Sequence, residues 1–161
     1  VIKKAPLARL HIFGDGSLSE CLKEMARKLG LNNNICFHGY TEHAALLEIV
    51  KEMDLLIHPA VRDGGTHAVM EAMALGIPVI CLDNAGPGYM VDSSSGIKIT
   101  GRNKNDIVQK IADAAIELLT NDDRYNELRM GAVNRVRDHF LWDRIGDRMK
   151  VLYQKICAKK F

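Results

Sequence analysis

An α/β fold built on a mostly parallel sheet is predicted by three observations. Short apolar runs of strand length alternate with helical stretches of about ten residues. Glycine-containing turns follow most of the runs, and beyond residue 100 the patterning is helical alone.

The elements follow in order. "ARLHIF", ending at Phe13, reads as the first strand. The helix after it opens on a capping box, Ser17 with Glu20 three residues on. It carries an inward apolar stripe of Leu18, Cys21, Leu22, Met25 and Leu29, and it ends at Gly30. "NICFHGY" around Cys36 is the second strand, followed by a helix from about Glu42 to Glu52 with Leu46, Leu47 and Ile49 inward. "LLIHPA" from Leu55 is the third strand, and a helix from about His67 to Leu75 is stopped by Gly76 and Pro78. "PVICLD" from Pro78 and "GIKIT" from Gly96 supply two more strands. Three helical stretches close the chain, roughly Lys104 to Leu119, Asp123 to Phe140 and Asp143 to Lys159. Right-handed βαβ crossovers then place helices on both faces of the sheet, a Rossmann-like three-layer sandwich with a C-terminal helical tail.

Composition narrows the function classes. The 161 residues are 47% hydrophobic and 26% charged, enough to bury one domain core. The longest apolar runs fall far short of the roughly 20 residues that span a bilayer. A net charge of +2 with interspersed signs gives no basic field for a nucleic-acid backbone. Cys21, Cys36, Cys81 and Cys157 show no CxxC or Cys/His ligand spacing and read as reduced core thiols of a cytoplasmic protein. The start, "VIKKAPLARLHIFG", lacks a methionine and runs almost directly into a strand, so residues 1–161 are expected to be a single domain cut from a longer chain.

In parallel sheets ligands bind beyond the carboxyl ends of the strands, which directs attention to "GDGS", "HGYTE", "VRDGGT" and "DNAGPGY". "GDGSLS" is one residue short of a dinucleotide fingerprint, with Ser19 at the third glycine position, and no acidic ribose-binding strand end follows about 20 residues later. "VRDGGTHAVMEAMA" is more specific. Thr66 is the expected N-cap, so the loop from Gly64 to Thr66 offers free N–H groups and the positive helix end to an anion such as a diphosphate. The inward stripe of that helix runs through Ala68, Val69, Ala72 and Met73, and Glu71 lies about 200° from Val69 at 100° per residue. Glu71 therefore leaves the core, placed either to accept hydrogen bonds from two ribose hydroxyls or to be solvated. His58 packs or caps at a strand end, His67 sits in a first helical turn, and His11 and His38 lie inside strands; none is assigned a catalytic role.

"DGGTHAVMEAMALGIPVI" resembles the acid-x7-Glu motif E-G-F-G-x-x-x-x-E-A-M-A-x-G-x-P-V of retaining GT-B glycosyltransferases of the large family 4, the glycosyl transferases group 1. "LHIFGDGSLSECLKEMARKLGLNNNICFHGY" and "DLLIHPA" resemble the preceding segments of the same nucleotide-sugar domain, so the likeness runs along nearly the whole chain in the same order.

The resemblance implies one half of a GT-B fold, a donor-binding domain. Glu71 would bind the donor ribose, and Asp63, in the first acid position, would hold the sugar and stabilise charge at its anomeric carbon. Gly64, Gly65 and Thr66 would offer N–H groups to diphosphate and sugar, Gly14 and Gly16 would line the donor crevice, and the backbone at Tyr40 would meet the base. No metal cofactor is implied, because a helix N-terminus and basic side chains stabilise the leaving diphosphate. The family's Arg and Lys, its first βα unit and its N-terminal acceptor domain would lie upstream of residue 1, which leaves the fragment inactive alone. The full enzyme would be cytoplasmic with peripheral membrane association and act in syntheses such as that of polysaccharides. The last helix would then expose Trp142, Ile145, Met149, Leu152 and Ile156.

Three departures bear on this: Asp63 stands for the usual Glu, Thr66 for the second glycine, and Tyr89 for a glutamate in the later loop. Two other readings stay open. One is a non-catalytic nucleotide-binding or interaction module, and the other, resting on "GDGSLS" alone, is a dehydrogenase-like dinucleotide domain.

Overall fold

The structure is a computed structural model that describes residues 1–64 and 67–158. Residues 65, 66 and 159–161 are outside the description. The described residues form an α/β chain whose strands all pair in parallel and whose last three elements are helices, as predicted. The strands fall into two sheets, one of two strands and one of three, and the chain divides into two compact units, Val1–Met53 and Asp54–Phe161.

In the first unit, β1 (Leu10–Phe13) pairs with β2 (Ile35–Gly39), with His11 opposite Cys36. The register shifts between Ile12 and Phe13, so His38 has no opposite number and forms a bulge. The connecting helix α1 (Ser19–Lys28) ends as its sequence requires. Gly30, at φ +68°, donates to the Arg27 carbonyl and Leu31 to that of Ala26, a Schellman cap. Its beginning differs from the prediction, because the helix starts one residue late and Ser17 caps nothing. Asp15 accepts from Gly16 N at 2.7 Å and Ser19 Oγ at 2.5 Å and so holds the turn before the helix, while Glu20 pairs with Lys23.

The predicted inward stripe of α1 is also overturned. Leu18, Leu22, Met25 and Leu29 are 42–66% exposed and Cys21 is exposed; Ala26 alone in this helix is buried. A ribbon of two strands about 5 Å apart is narrower than a helix about 10 Å across and cannot cover so wide a stripe. The helix α2 (His43–Val50) is capped by Glu42, whose carboxylate accepts from Ala44 N and Ala45 N. Its Leu46, Leu47 and Ile49 are half-buried.

In the second unit, β3 (Leu56–His58), β4 (Val79–Leu82) and β5 (Gly96–Ile99) form a parallel sheet in that order. All four residues of β4 are buried, as the central strand of a sheet covered on both faces requires. Between β3 and β4 runs α3 (His67–Ala74), closed by a second Schellman cap at Gly76. Val69, Ala72 and Met73 are buried as expected, whereas Ala68 is exposed.

The core joins Ile80, Leu82 and Ile99 to Ala114, Ala115 and Leu118 of α5 (Lys104–Thr120) and to Leu128 of α6 (Asp122–His139). Each large side chain so buried contributes about 1.5–3 kcal/mol. Asn103 and Asn121 cap α5 and α6, accepting from Asp106 N and Arg124 N. Gly131 lets α6 approach the chain at Ser94 so closely that a Cβ there would stand 1.7 Å from the Ser94 carbonyl.

The last helix, α7 (Trp142–Ala158), buries none of its described residues. Trp142, Met149, Leu152 and Ile156 are 41–86% exposed, as predicted, while Ile145 is half-buried. One helix was not predicted. Ala85–Met90, "AGPGYM", forms α4, since a proline in the first turn lacks an N–H that has no intrahelical partner there anyway. No helix among the described residues is long and apolar enough to cross a membrane.

Candidate functional site

Of the described site residues, Gly14, Gly16, Tyr40, Asp63 and Gly64 fall in loops beyond the carboxyl ends of strands, and Glu71 lies on α3. In the first unit, Gly14 follows β1 at φ +101° and donates to the Gly39 carbonyl at 2.7 Å. The left-handed backbone at Gly14 and at Gly39, φ +67°, suits glycine. This bond draws the "GDGS" turn against the turn that carries Tyr40, which is 86% exposed. A cavity of about 500 Å³ opens here, lined among others by Phe13, Gly14, Gly16, Leu22, Lys23 and His38. Hydrogen bonds from Ser19 and then Gly16 hold the Asp15 carboxyl below its usual range, so Asp15 is an anion that shapes the turn.

In the second unit, Asp63 sits in the loop after β3, half-buried. His58 at the end of β3 lies with Nε2 3.1 Å from Asp63 Oδ2. An ionised carboxylate can only accept, so this contact places a proton on Nε2. His58 thus does more than pack or cap: it orients the acid. Periodicity carries no signal for such a pair, and a His five residues before an acid at a strand end is the local clue.

The backbone of the same loop is held by the start of α4. Gly86 N donates to the Asp63 carbonyl at 2.9 Å, and Asn84 Nδ2 to that of Val61 at 3.1 Å. Between them Ala85 adopts φ +45°. The N-cap and first turn of α4, "NAGPGY", therefore buttress the Asp63 loop. Tyr89, where the resemblance has a glutamate, is 70% exposed and edge-on to Phe140.

Glu71 lies on α3, half-buried and off the Val69, Ala72 and Met73 face, as predicted. Gly64 is exposed and nothing within 4 Å would obstruct a Cβ there. Gly65 and Thr66 lie outside the described residues. His67 opens α3 and is exposed.

Residues 1–135 match the family model described as glycosyl transferases group 1. The chain belongs to that family. Over 96% of its length this group 1 chain is 29% identical to a GDP-mannose-dependent monoacylated alpha-(1-6)-phosphatidylinositol monomannoside mannosyltransferase of Corynebacterium glutamicum. Over 76% it is 28% identical to a poly(ribitol-phosphate) alpha-N-acetylglucosaminyltransferase of Staphylococcus aureus. It spans 41% and 24% of those proteins.

Among solved structures the group 1 chain resembles a mutant of S. aureus TarM in complex with Fondaparinux, alpha-GlcNAc-glycerol and UDP. There the TM-score is 0.80 at 23% identity, covering 94% of this chain and 30% of that one. The glycosyltransferase WaaG, involved in lipopolysaccharide biosynthesis, matches with a TM-score of 0.71 at 20% identity, covering 89% and 37%. At such identities the likeness is one of fold, and it bears out the Rossmann-like reading.

Proposed function

We propose that this chain is the donor-binding part of a retaining glycosyltransferase, and that it binds a nucleotide-diphosphate sugar whose sugar passes to an acceptor held by a separate N-terminal domain. The observation that carries the reading is the acid pair of the group 1 motif. Asp63 is held by His58 at the carboxyl end of a parallel strand, and Glu71 leaves the buried face of the helix that follows.

In this proposal Asp63 bears on the sugar, where a carboxylate stabilises the positive charge of an oxocarbenium-like transition state. Glu71 accepts from the ribose hydroxyls. Gly64, Gly65 and Thr66 serve the diphosphate with backbone N–H groups, so no metal is needed for the leaving group. Gly14, Gly16 and Tyr40 serve the nucleotide. The full protein is proposed to be cytoplasmic, with its acceptor domain as partner and peripheral contact with a membrane surface. An upstream βα unit and acceptor domain complete the enzyme, and residues 1–161 alone are without turnover.

Relatives use different bases: the C. glutamicum protein is GDP-mannose-dependent, and TarM and the Anabaena protein HepE were solved with UDP and UDP-glucose respectively. The test is therefore a two-dimensional NMR titration with UDP, GDP, ADP and their sugar conjugates, with Glu71→Ala as control. A dissociation constant of about 1 mM, about 4 kcal/mol, is expected without the upstream basic residues. One nucleotide should shift the amides of Gly14, Tyr40 and Gly64, and Glu71→Ala should abolish the effect. Equal shifts with every nucleotide, or none lost in Glu71→Ala, would leave a non-catalytic binding module.

A further inference from the structure

Three metal-ligating side chains share one face of the β1 and β2 pair, and the proposed donor chemistry uses none of them. His11 lies opposite Cys36 in the register, and His38, two residues after Cys36 on β2, stands on the same face. The rings of His11 and His38 stack with centroids 5.1 Å apart, and Phe13 stacks on His38 at 4.4 Å. His11 Nδ1 and His38 Nε2 are 2.9 Å apart, and these two nitrogens and Cys36 Sγ all lie within 4.8 Å of one another.

We propose that His11, Cys36 and His38 form a site for a divalent transition metal, Zn2+ being the ion that two imidazoles and a thiolate suit best. With Zn–N of about 2.0–2.1 Å and Zn–S of about 2.3 Å, tetrahedral ligands stand about 3.4 Å apart for nitrogen pairs and about 3.6 Å for nitrogen and sulfur. The two rings need to part by a few tenths of an ångström and the thiol to close by up to about 1 Å, which rotation about the Cys36 side chain supplies. The two nitrogens face each other, one ring's lone pair accepting the other ring's N–H. On metal binding the donor ring changes tautomer, carrying its proton on its other nitrogen, and the thiol alone releases a proton to solvent.

Cys36 is exposed and both histidines are half-buried, so the ion reaches the site from water and keeps a water as fourth ligand. The site joins β1 to β2 at the bulge and clamps the strand ends that carry Gly14 and Tyr40. It is a structural staple of the first unit. Cys36-x-His38 is a ligand pair that reading for Cys/His spacing overlooked, because its third partner is 25 residues upstream of Cys36.

The test uses the whole chain, reduced and stripped with a chelator, then titrated with Zn2+ and Co2+. One equivalent of Co2+ should give the intense visible bands of a tetrahedral ion and a thiolate-to-cobalt charge-transfer band, and Zn2+ should displace it. Cys36→Ser should lose the charge-transfer band, and His11→Gln and His38→Gln should lose the stoichiometric step. Cys21→Ser and Cys157→Ser should keep all three signals. Circular dichroism checks folding, and because Cys36 is exposed, Cys36→Ser decides the matter even if a histidine variant unfolds. No cobalt spectrum in the parent chain would overturn the proposal, as would a charge-transfer band that survives Cys36→Ser.

Discussion

The backbone N–H of Gly86, in the first turn of α4, donates to the carbonyl of Asp63 in the loop after β3 at 2.9 Å, and the residue before it, Ala85, is held at φ +45°. A left-handed backbone costs an L residue about 1–2 kcal/mol, and glycine relieves it at a smaller entropic cost. Ala85→Gly is therefore expected to stabilise the chain by about 0.5–1 kcal/mol, read from urea unfolding midpoints. A loss of that size, usual for Ala→Gly elsewhere, would mean that Ala85 is not left-handed in solution.

On the proposed function, His58 and Asp63 predict a split between binding and turnover in a chain that carries the proposed acceptor domain. Asp63→Ala should lower kcat by about 100-fold or more with a much smaller change in donor affinity, the pattern of a group acting on the transition state. His58→Phe removes one hydrogen bond to the acid and should cost about 10-fold, while His58→Gln, which keeps an N–H, recovers most of it. Loss of donor affinity equal to the loss of kcat in Asp63→Ala would assign the acid to binding alone.

Asp92 predicts an acid limb in the stability curve. Burial opposes its ionisation, but hydrogen bonds from Ser94 and Ser95 and the charge of Arg135 outweigh burial and hold the carboxyl below its ordinary 3.8. With the folded value depressed, the stabilisation is complete above the unfolded value and is lost as pH falls through the folded one. Unfolding free energy should thus drop below about pH 4, and Asp92→Asn should flatten that drop. Solvent reaches the carboxylate and screens it, so the same variant should cost only about 1 kcal/mol at pH 7. An unchanged acid limb in Asp92→Asn would assign it to other carboxylates.

The cysteines should react in two classes. Burial pushes the Cys81 thiol up to about 11, with Lys98 and Asp83 pulling in opposite directions, whereas Cys21, Cys36 and Cys157 are exposed. In metal-free native protein iodoacetamide should modify those three and spare Cys81 until denaturant is added, as peptide mass mapping will show. Native labelling of Cys81 would mean that β4 opens readily. The expectation of four core thiols is thereby corrected to one.

What was legible in the sequence was local. The caps at Gly30 and Gly76 need only the left-handed tolerance of glycine after a helical stripe, and both are where the residues say. The strand runs, the α3 face with Glu71 off it, and the three final helices follow from periods of two and 3.6. The "AGPGYM" helix was missed because glycine and proline mark breaks unless their place in a first turn is known.

By itself, then, the sequence determined the α/β alternation, the strands' carboxyl-end loops and the acid pair that marks the family. Tertiary structure alone decided what faces each of these. Arg135 reaches back 46 residues to the Tyr89 carbonyl and 43 to Asp92, tying α6 to the end of α4. His38 meets His11 across 27 residues, and Gly86 at the start of α4 meets Asp63 in the loop after β3. The stripe of α1 looked like a core face, yet what covers a stripe depends on the width of the sheet beneath it. Short-range patterning records the propensities of neighbours a turn or a pleat apart, whereas these contacts exist only once the strands have paired.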